Sequence, residues 1–214
     1  MDTNRRILLF TGGNLGDWAL SEIKPDDVLV GIDRGALFLT RHQRKLDFAL
    51  GDFDSVTLEE LQEIKDNCPR LDSCDPVLKD LTDTEMGFVW AMEQQPREVV
   101  LLGALGSRFD HTLANVHLLR TGMLHGVPCR IIDETNELML IKETTRVRKG
   151  RFAHVSLLPL SMDVTGITLT GFQYPLNDAT LTIGQSLGIS NVLIGEEGTI
   201  ELKSGMLLVI RSRD

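Results

Sequence analysis

Carboxylates crowd two short segments of the chain, Gly51-Asp52-Phe53-Asp54-Ser55 and Lys79-Asp80-Leu81-Thr82-Asp83. Each follows an apolar strand or loop and precedes a helix start. Neighbouring carboxylates repel one another unless a cation sits among them. Mg2+ takes hard oxygen ligands and commonly bridges a carboxylate or two to substrate phosphates. The chemistry implied is the handling of a metal-bound phosphate compound. Asp52 and Asp54 alternate around Phe53, so both carboxylates can face one way while the ring enters the core; a solvated acidic turn is the plain alternative. Asp80 and Asp83 flank Thr82, where one of them could simply cap a helix.

Other unusual residues follow apolar runs in the same way. Thr11-Gly12-Gly13-Asn14 comes after residues 7–10, Asp33-Arg34-Gly35-Ala36 after 28–32, and Gly103 to His111 after 99–102. In open parallel sheets ligands bind beyond the carboxyl ends of the strands, so a shared position there matters more than any single match. Gly12 and Gly13 would let backbone amides approach a phosphate, although the stretch is neither a dinucleotide nor a Walker A fingerprint and also reads as a tight turn. Arg108 stands in a glycine-rich loop that opens a helix, where a guanidinium can fork onto phosphate oxygens. His111 and Asn115 share the face of that helix, and His111 also reads as an ordinary first-turn polar residue.

The elements that must position these residues change character along the chain. Up to about residue 140, apolar runs at 7–10, 28–32, 48–50, 99–102, 130–132 and 137–141 alternate with helical patterns. Thr57-Leu58-Glu59-Glu60 and Thr82-Asp83-Thr84-Glu85 match helix-opening capping boxes. Leu58, Leu61 and Ile64, then Met86, Val89 and Trp90, then Leu113, Val116 and Leu119 recur at helical spacing. Strands alternating with helices predict a doubly wound parallel sheet. After Gly150 segments such as 167–170 and 180–183 alternate at period two, and Gly195-Glu196-Glu197-Gly198 reads as a hairpin turn. The expected fold is therefore an α/β domain over residues 1–145 and a small antiparallel β-sandwich over 146–214.

Composition excludes several classes. A formal net charge of −9 argues against a general nucleic-acid binder. An apolar content of 42% and a charged content of 25% are those of a soluble globular protein rather than a disordered one. The four apolar residues 7–10 fall short of the roughly 7–15 of a secretory leader, and no apolar run nears a membrane span. Cys68, Cys74 and Cys129 read as free thiols in a reducing cytoplasm; a zinc pair of Cys68 and Cys74 lacks a second pair of ligands.

Taken in order, these segments resemble the thiamine pyrophosphokinase family. The matching residues are Asp33-Arg34-Gly35-Ala36, Gly51 to Ser55, Lys79 to Asp83, and Gly106 to His111 with Asn115. In the second half, Gly171-Phe172-Gln173-Tyr174-Pro175-Leu176 and Ser186 to Asn191 resemble the family's thiamine-side motifs. The resemblance implies an α/β domain followed by a β-sandwich, in a homodimer with active sites between subunits. It also implies transfer of the terminal diphosphate of ATP to the thiamine hydroxyl, with release of AMP. Asp52, Asp54 and Asp80 would be the Mg2+ carboxylates, with Asp33, Gly13, Gly35 and Asn115 on the ATP side. Asp83, Arg108, Asp110 and His111 would serve the reacting phosphates, and Tyr174, Ser190 and Asn191 the thiamine. The chain departs from the family pattern at Arg34, where a glycine is usual, and at Val192, where a glutamate is common. A pyrophosphokinase acting on a hydroxymethylpterin, and a non-catalytic nucleotide or thiamine sensor, are the competing readings. Neither nucleic acid nor membrane is expected as a partner.

Overall fold

The computed structural model describes residues 5–73 and 81–214 and divides into two compact units, one ending at Glu134 and the other beginning at Thr135. Cys74, Lys79 and Asp80 lie outside the described residues.

In the first unit the apolar runs become β1 (Arg6–Phe10), β2 (Val28–Ile32), β3 (Phe48–Gly51), β4 (Leu71–Ser73), β5 (Glu98–Leu102) and β6 (Cys129–Ile132). All adjacent pairs are parallel. β1 lies between β2 and β5, while β3 then β4 extend the β2 side and β6 the β5 side. Parallel strands covered on both faces lose their polar alternation, which is why every residue of β1 and β2 is buried. The chain builds outward from β1 to β4 and then returns to β5 on the other side of β1. That reversal makes the gap between β1 and β5 a topological switch point, where open α/β sheets form a crevice.

Helices α1 (Asp17–Leu20), α2 (Arg34–Arg41), α3 (Leu58–Asn67), α4 (Asp83–Glu93) and α5 (Phe109–Leu124) connect these strands. The capping box at Thr57 is formed in both directions, Glu60 N–H to Thr57 Oγ1 at 3.2 Å and Thr57 N–H to the Glu60 carboxylate at 2.9 Å. Thr82 Oγ1 accepts from Glu85 N–H at 3.2 Å, so Thr82 caps α4 and Asp83 is its first helical residue.

The buried stripes are shifted from those expected. Ile64 is fully buried, but Leu58 is 87% exposed at the start of α3. In α4 Gly87, Phe88, Ala91 and Met92 are buried while Val89 is exposed. A side chain at Gly87 would collide with Ile32, so this helix lies down on its small-residue face. α5 buries Val116, Leu118 and Leu119 and exposes Leu113. α2 was not anticipated from the periodicity.

The second unit is antiparallel. β7 (Asn136–Ile141) pairs with β14 (Leu207–Ser212), which pairs with β9 (His154–Pro159), which in turn pairs with β12 (Asn191–Val192). A second sheet runs β11 (Ala179–Thr182), β10 (Asp163–Thr170), β13 (Glu197–Glu201), β8 (Thr145–Arg148). Val155, Leu157 and Val209 from the first sheet share a core with Val164, Ile167 and Ile200 from the second, which makes the unit a sandwich.

Two details differ from expectation. Residues 137–141, read as a strand of the α/β half, pair antiparallel with β14 and lie in the compact unit that begins at Thr135. An apolar run does not encode its own partner. The 195–198 segment is not a hairpin turn, because β12 and β13 belong to different sheets of the sandwich.

Candidate active site

Glycine sets the crevice at the switch point. A Cβ on Gly13 would meet the carbonyl oxygen of Gly103, so the loops after β1 and β5 approach to backbone contact. Thr11 N–H donates to Leu102 O at 2.9 Å and fixes the same junction. Gly35 is equally constrained: a side chain there would enter the Phe10 carbonyl, so the start of α2 rests on the end of β1. Asn115, buried on α5, donates its amide to Ala104 O at 2.7 Å, and Gly106 N–H donates to Thr112 Oγ1 at 3.1 Å. These residues shape a cleft of about 300 Å³ whose lining includes Gly12, Asp33, Asp83, Arg108, His111 and Asn115.

Three carboxylates converge beside the cleft, of which Asp33 and Asp83 line the cleft itself. Oxygens of Asp33, Asp52 and Asp83 all lie within 4.8 Å of one another, each residue half-buried. Local backbone drives this arrangement. Asp33 (φ 48°) and Phe53 (φ 55°) occupy left-handed conformations that L-residues seldom adopt. Phe53 N–H donates to Asp33 Oδ1 at 3.2 Å while its ring is buried in the core. A Cβ on Gly51 would strike the Asp33 carboxylate. The ring of Phe53 thus enters the core as its sequence position suggested, but the turn is no extended alternation. Asp54 is exposed and donates its N–H to Asp52 Oδ1 at 3.1 Å, outside the three-carboxylate cluster. Asp33 and Asp83, expected on the ATP side and among the catalytic groups, are the residues that join Asp52 here. Their shared position at strand ends and helix starts was the available signal.

Burial, and after it the charge of Asp83, push the Asp33 carboxyl up from 3.8 to about 7, against the bond from Phe53 N–H. Between those values the folded protein binds more protons than the unfolded chain, so stability falls as pH rises from about 4 to about 7. Without divalent cation, the urea midpoint is expected to drop across that window, and Asp33→Asn to flatten the drop. An equal slope in the variant would refute the assignment. A half-buried cluster of carboxylates, in which burial and then the charge of Asp83 raise Asp33, suits a hard divalent cation.

Arg108 and Asp110 sit together at the start of α5, with guanidinium to carboxylate distances of 2.6 and 3.3 Å. Both are exposed. The Arg108 hydrogen bonds, with the backbone of His111, hold the Asp110 carboxyl down at about 2. Asp110 therefore stays ionised near neutrality. His111 is exposed on the cleft wall.

In the second unit, Tyr174 is exposed on a loop held by Asn191. The Asn191 side chain accepts from Tyr174 N–H at 3.0 Å and donates to Tyr174 O at 2.7 Å, and it is itself buried. Its amide is thus occupied by the backbone of the loop. Ser190 (φ 57°) donates its N–H to Ser156 Oγ at 3.0 Å. Ser156, which fixes this turn, was not identified in the sequence, where an isolated serine on a strand carries no signal.

Fold and site define an α/β protein with a carboxylate-lined cleft at its switch point, followed by an antiparallel sandwich. The family model described as thiamin pyrophosphokinase, catalytic domain, matches residues 20–131, and the one described as thiamin pyrophosphokinase, vitamin B1 binding domain, matches residues 142–207. A thiamine pyrophosphokinase of Bacillus subtilis (strain 168) is 36% identical over 187 residues, covering 86% of this chain and 87% of that protein. The crystal structure of thiamine pyrophosphokinase from Bacillus subtilis superposes with a TM-score of 0.90 at 33% identity, covering 98% of this chain and 100% of the other. That of thiamin pyrophosphokinase from Geobacillus thermodenitrificans gives 0.88 at 36% identity, with 98% of each chain covered. The chain belongs to the thiamin pyrophosphokinase family.

Proposed function

We propose that the protein transfers the terminal diphosphate of ATP to the hydroxyl of thiamine, giving thiamine diphosphate and AMP. The observation that carries this reading is the meeting of Asp33, Asp52 and Asp83 beside Arg108 at the switch point of a chain with a family-matched B1-binding half.

Asp33, Asp52 and Asp83 would hold Mg2+, with Asp54 and Asp80 at its margin. An ion held by these residues would offset phosphate charge, the usual contribution of a metal to phosphoryl transfer. The loops of Gly12-Gly13 and Gly103 to Ser107 bring uncovered backbone to the phosphates. The thiamine oxygen attacks the β-phosphorus, the bond to the α-phosphate oxygen breaks, and the hydroxyl proton leaves. Arg108 neutralises charge that develops on the transferred group, and Asp110 orients that guanidinium. His111 stands on the cleft wall as the proton carrier. Tyr174 offers its π face to the thiazolium cation. Ser190 and Asn191 serve thiamine by holding the tyrosine loop.

Purified protein mixed with ATP, magnesium and thiamine is expected to yield AMP and thiamine diphosphate in equal amounts, read by chromatography. ATP and thiamine binding without product would favour a sensor, and AMP formed only with a pterin alcohol would change the substrate. Tyr174→Ala is expected to raise the thiamine KM about tenfold, the scale of a desolvated cation–π contact. The ATP KM should not move; a rise in it would remove Tyr174 from the thiamine side.

The reading includes a homodimer, testable by light scattering on the purified protein. It also includes a cytoplasmic location, supported by the buried free thiols of Cys68 and Cys129. Among the described residues no helix is long and apolar enough to cross a membrane.

A further inference from the structure

The end of the parallel sheet away from the carboxylate cleft carries a cavity of about 520 Å³. Arg5, Arg6, Lys24, Asp26, Asp27 and Arg97 line it, four cations against two carboxylates in a chain whose net charge is −9. The two carboxylates are not equivalent. Asp27 is engaged by Arg6, which forks onto it at 2.6 and 2.9 Å, and both side chains are buried as a neutral pair. Asp26 alone is left to offset Arg5, Lys24 and Arg97.

Arg5 is held ready for a further partner. Its half-buried guanidinium donates from Nε to Asp26 O at 2.8 Å and from Nη2 to Asp27 O at 3.4 Å. Both acceptors are peptide carbonyls, which fix the orientation of the fork without cancelling its charge. Among the described residues Arg5 forms no ion pair, and the side chains of Lys24 and Arg97 form neither a hydrogen bond nor an ion pair. Arg97 N–H donates to Arg5 O at 3.0 Å, and the next residues, Arg6 and Glu98, are register partners of β1 and β5. Arg5 and Arg97 therefore stand side by side at the starts of neighbouring strands, where like charges destabilise one another. An anion between them turns that repulsion into attraction. Guanidinium forks match the oxygens of a phosphate group in particular. The volume lies within the roughly 300–1,000 Å³ typical of small-molecule pockets, which leaves room beside the phosphate for an organic group.

We propose that this cavity is a further anion site, taking a small phosphate-bearing molecule between Arg5 and Arg97 with Lys24 at its edge. It lies at the start of β1, whereas the cleft lies beyond the end of that strand. Five residues of extended chain separate the two, a rise of roughly 16 Å. The site therefore stands apart from the diphosphate transfer and does not depend on it.

Isothermal titration without divalent cation tests the site, with inorganic phosphate in one arm and glycerol 3-phosphate in the other. Arg97→Ala is expected to weaken binding about tenfold, the scale of a lost charge-assisted hydrogen bond, and Arg97→Lys to recover part of the loss. Arg108→Ala, which alters the cleft instead, should leave the affinity within about twofold. Tighter binding of the ester would assign the remaining volume to its organic part, and equal binding would assign the site to phosphate alone. In urea, phosphate should raise the unfolding midpoint above that in chloride of equal ionic strength, and the gap should close in Arg97→Ala. No binding of either probe to the parent protein at millimolar concentration would overturn the proposal. So would unaltered affinity in Arg97→Ala, or an equal loss in Arg108→Ala. If Arg97→Ala fails to fold, Lys24→Ala decides by the same comparison.

Discussion

Asp52→Asn is expected to lower turnover about a thousandfold, the scale of removing one preorganised electrostatic group from a transfer site, while the protein becomes more stable. Both effects come from one fact of geometry. Oxygens of Asp33, Asp52 and Asp83 lie within 4.8 Å of one another. Two unit charges about 4 Å apart repel by about 1 kcal/mol even in bulk water, and by more where water is partly excluded. The displaced titration of Asp33 reports that repulsion, with burial as its larger cause. Asparagine keeps the shape of Asp52 and its acceptor for the Asp54 N–H, so the turn survives while one charge is removed. A gain of about 1 kcal/mol in urea unfolding without divalent cation, joined to lost activity, is the predicted pair of results. Sites that trade stability for function behave this way. A folded Asp52→Asn enzyme with near-normal turnover would remove Asp52 from the chemistry.

Arg6→Ala is expected to cost about 3–5 kcal/mol of stability, the usual result of breaking a buried ion pair from one side. Arg6 is 3% exposed and forks onto Asp27 at 2.6 and 2.9 Å. It also donates to Glu22 O at 3.0 Å and lies 3.6 Å from Glu98. Alanine strands the Asp27 carboxylate in the interior, where Lys24 N–H at 2.7 Å is its remaining partner among these contacts. Replacing both members, Arg6→Met with Asp27→Leu, should recover most of the loss, because the large term is the orphaned charge rather than the pair itself. Arg6 opens β1, whereas the site lies beyond the opposite end of that strand. The folded fraction of Arg6→Ala should therefore keep its KM values. Urea denaturation read beside steady-state kinetics separates the two. A cost below about 1 kcal/mol would show that water reaches Asp27 once Arg6 is gone.

What the sequence made legible was local. The apolar runs of β1, β2, β3 and β5 and the cap at Thr57 announce themselves in residue types. So does the crowding of acidic groups at strand ends. Partnership was not legible. Residues 137–141 read as one more strand of the first half because an apolar run does not show that β14, from the far end of the chain, pairs with it antiparallel. The carboxylate cluster draws Asp33 from the end of β2, Asp52 from the turn after β3 and Asp83 from the start of α4. Which carboxylates share a space depends on strand order and on the left-handed turn at Phe53, neither of which is written in the spacing of Asp52 and Asp54. Asn191 was recognised as important for its motif, but its occupation by the Tyr174 backbone needed coordinates. α2 escaped notice because it spans eight residues, too few for a helical period to stand out from an apolar run.

The grip of Asn191 on the tyrosine loop has an evolutionary side. Its side-chain bonds run to backbone groups, Tyr174 N–H and O and Val192 N–H. The tyrosine position is therefore held out as a socket whose occupant can be exchanged while the sandwich beneath it is left alone. A lineage could drift toward a different alcohol by changing that one side chain, with Asn191 and Ser156 inherited as the mounting.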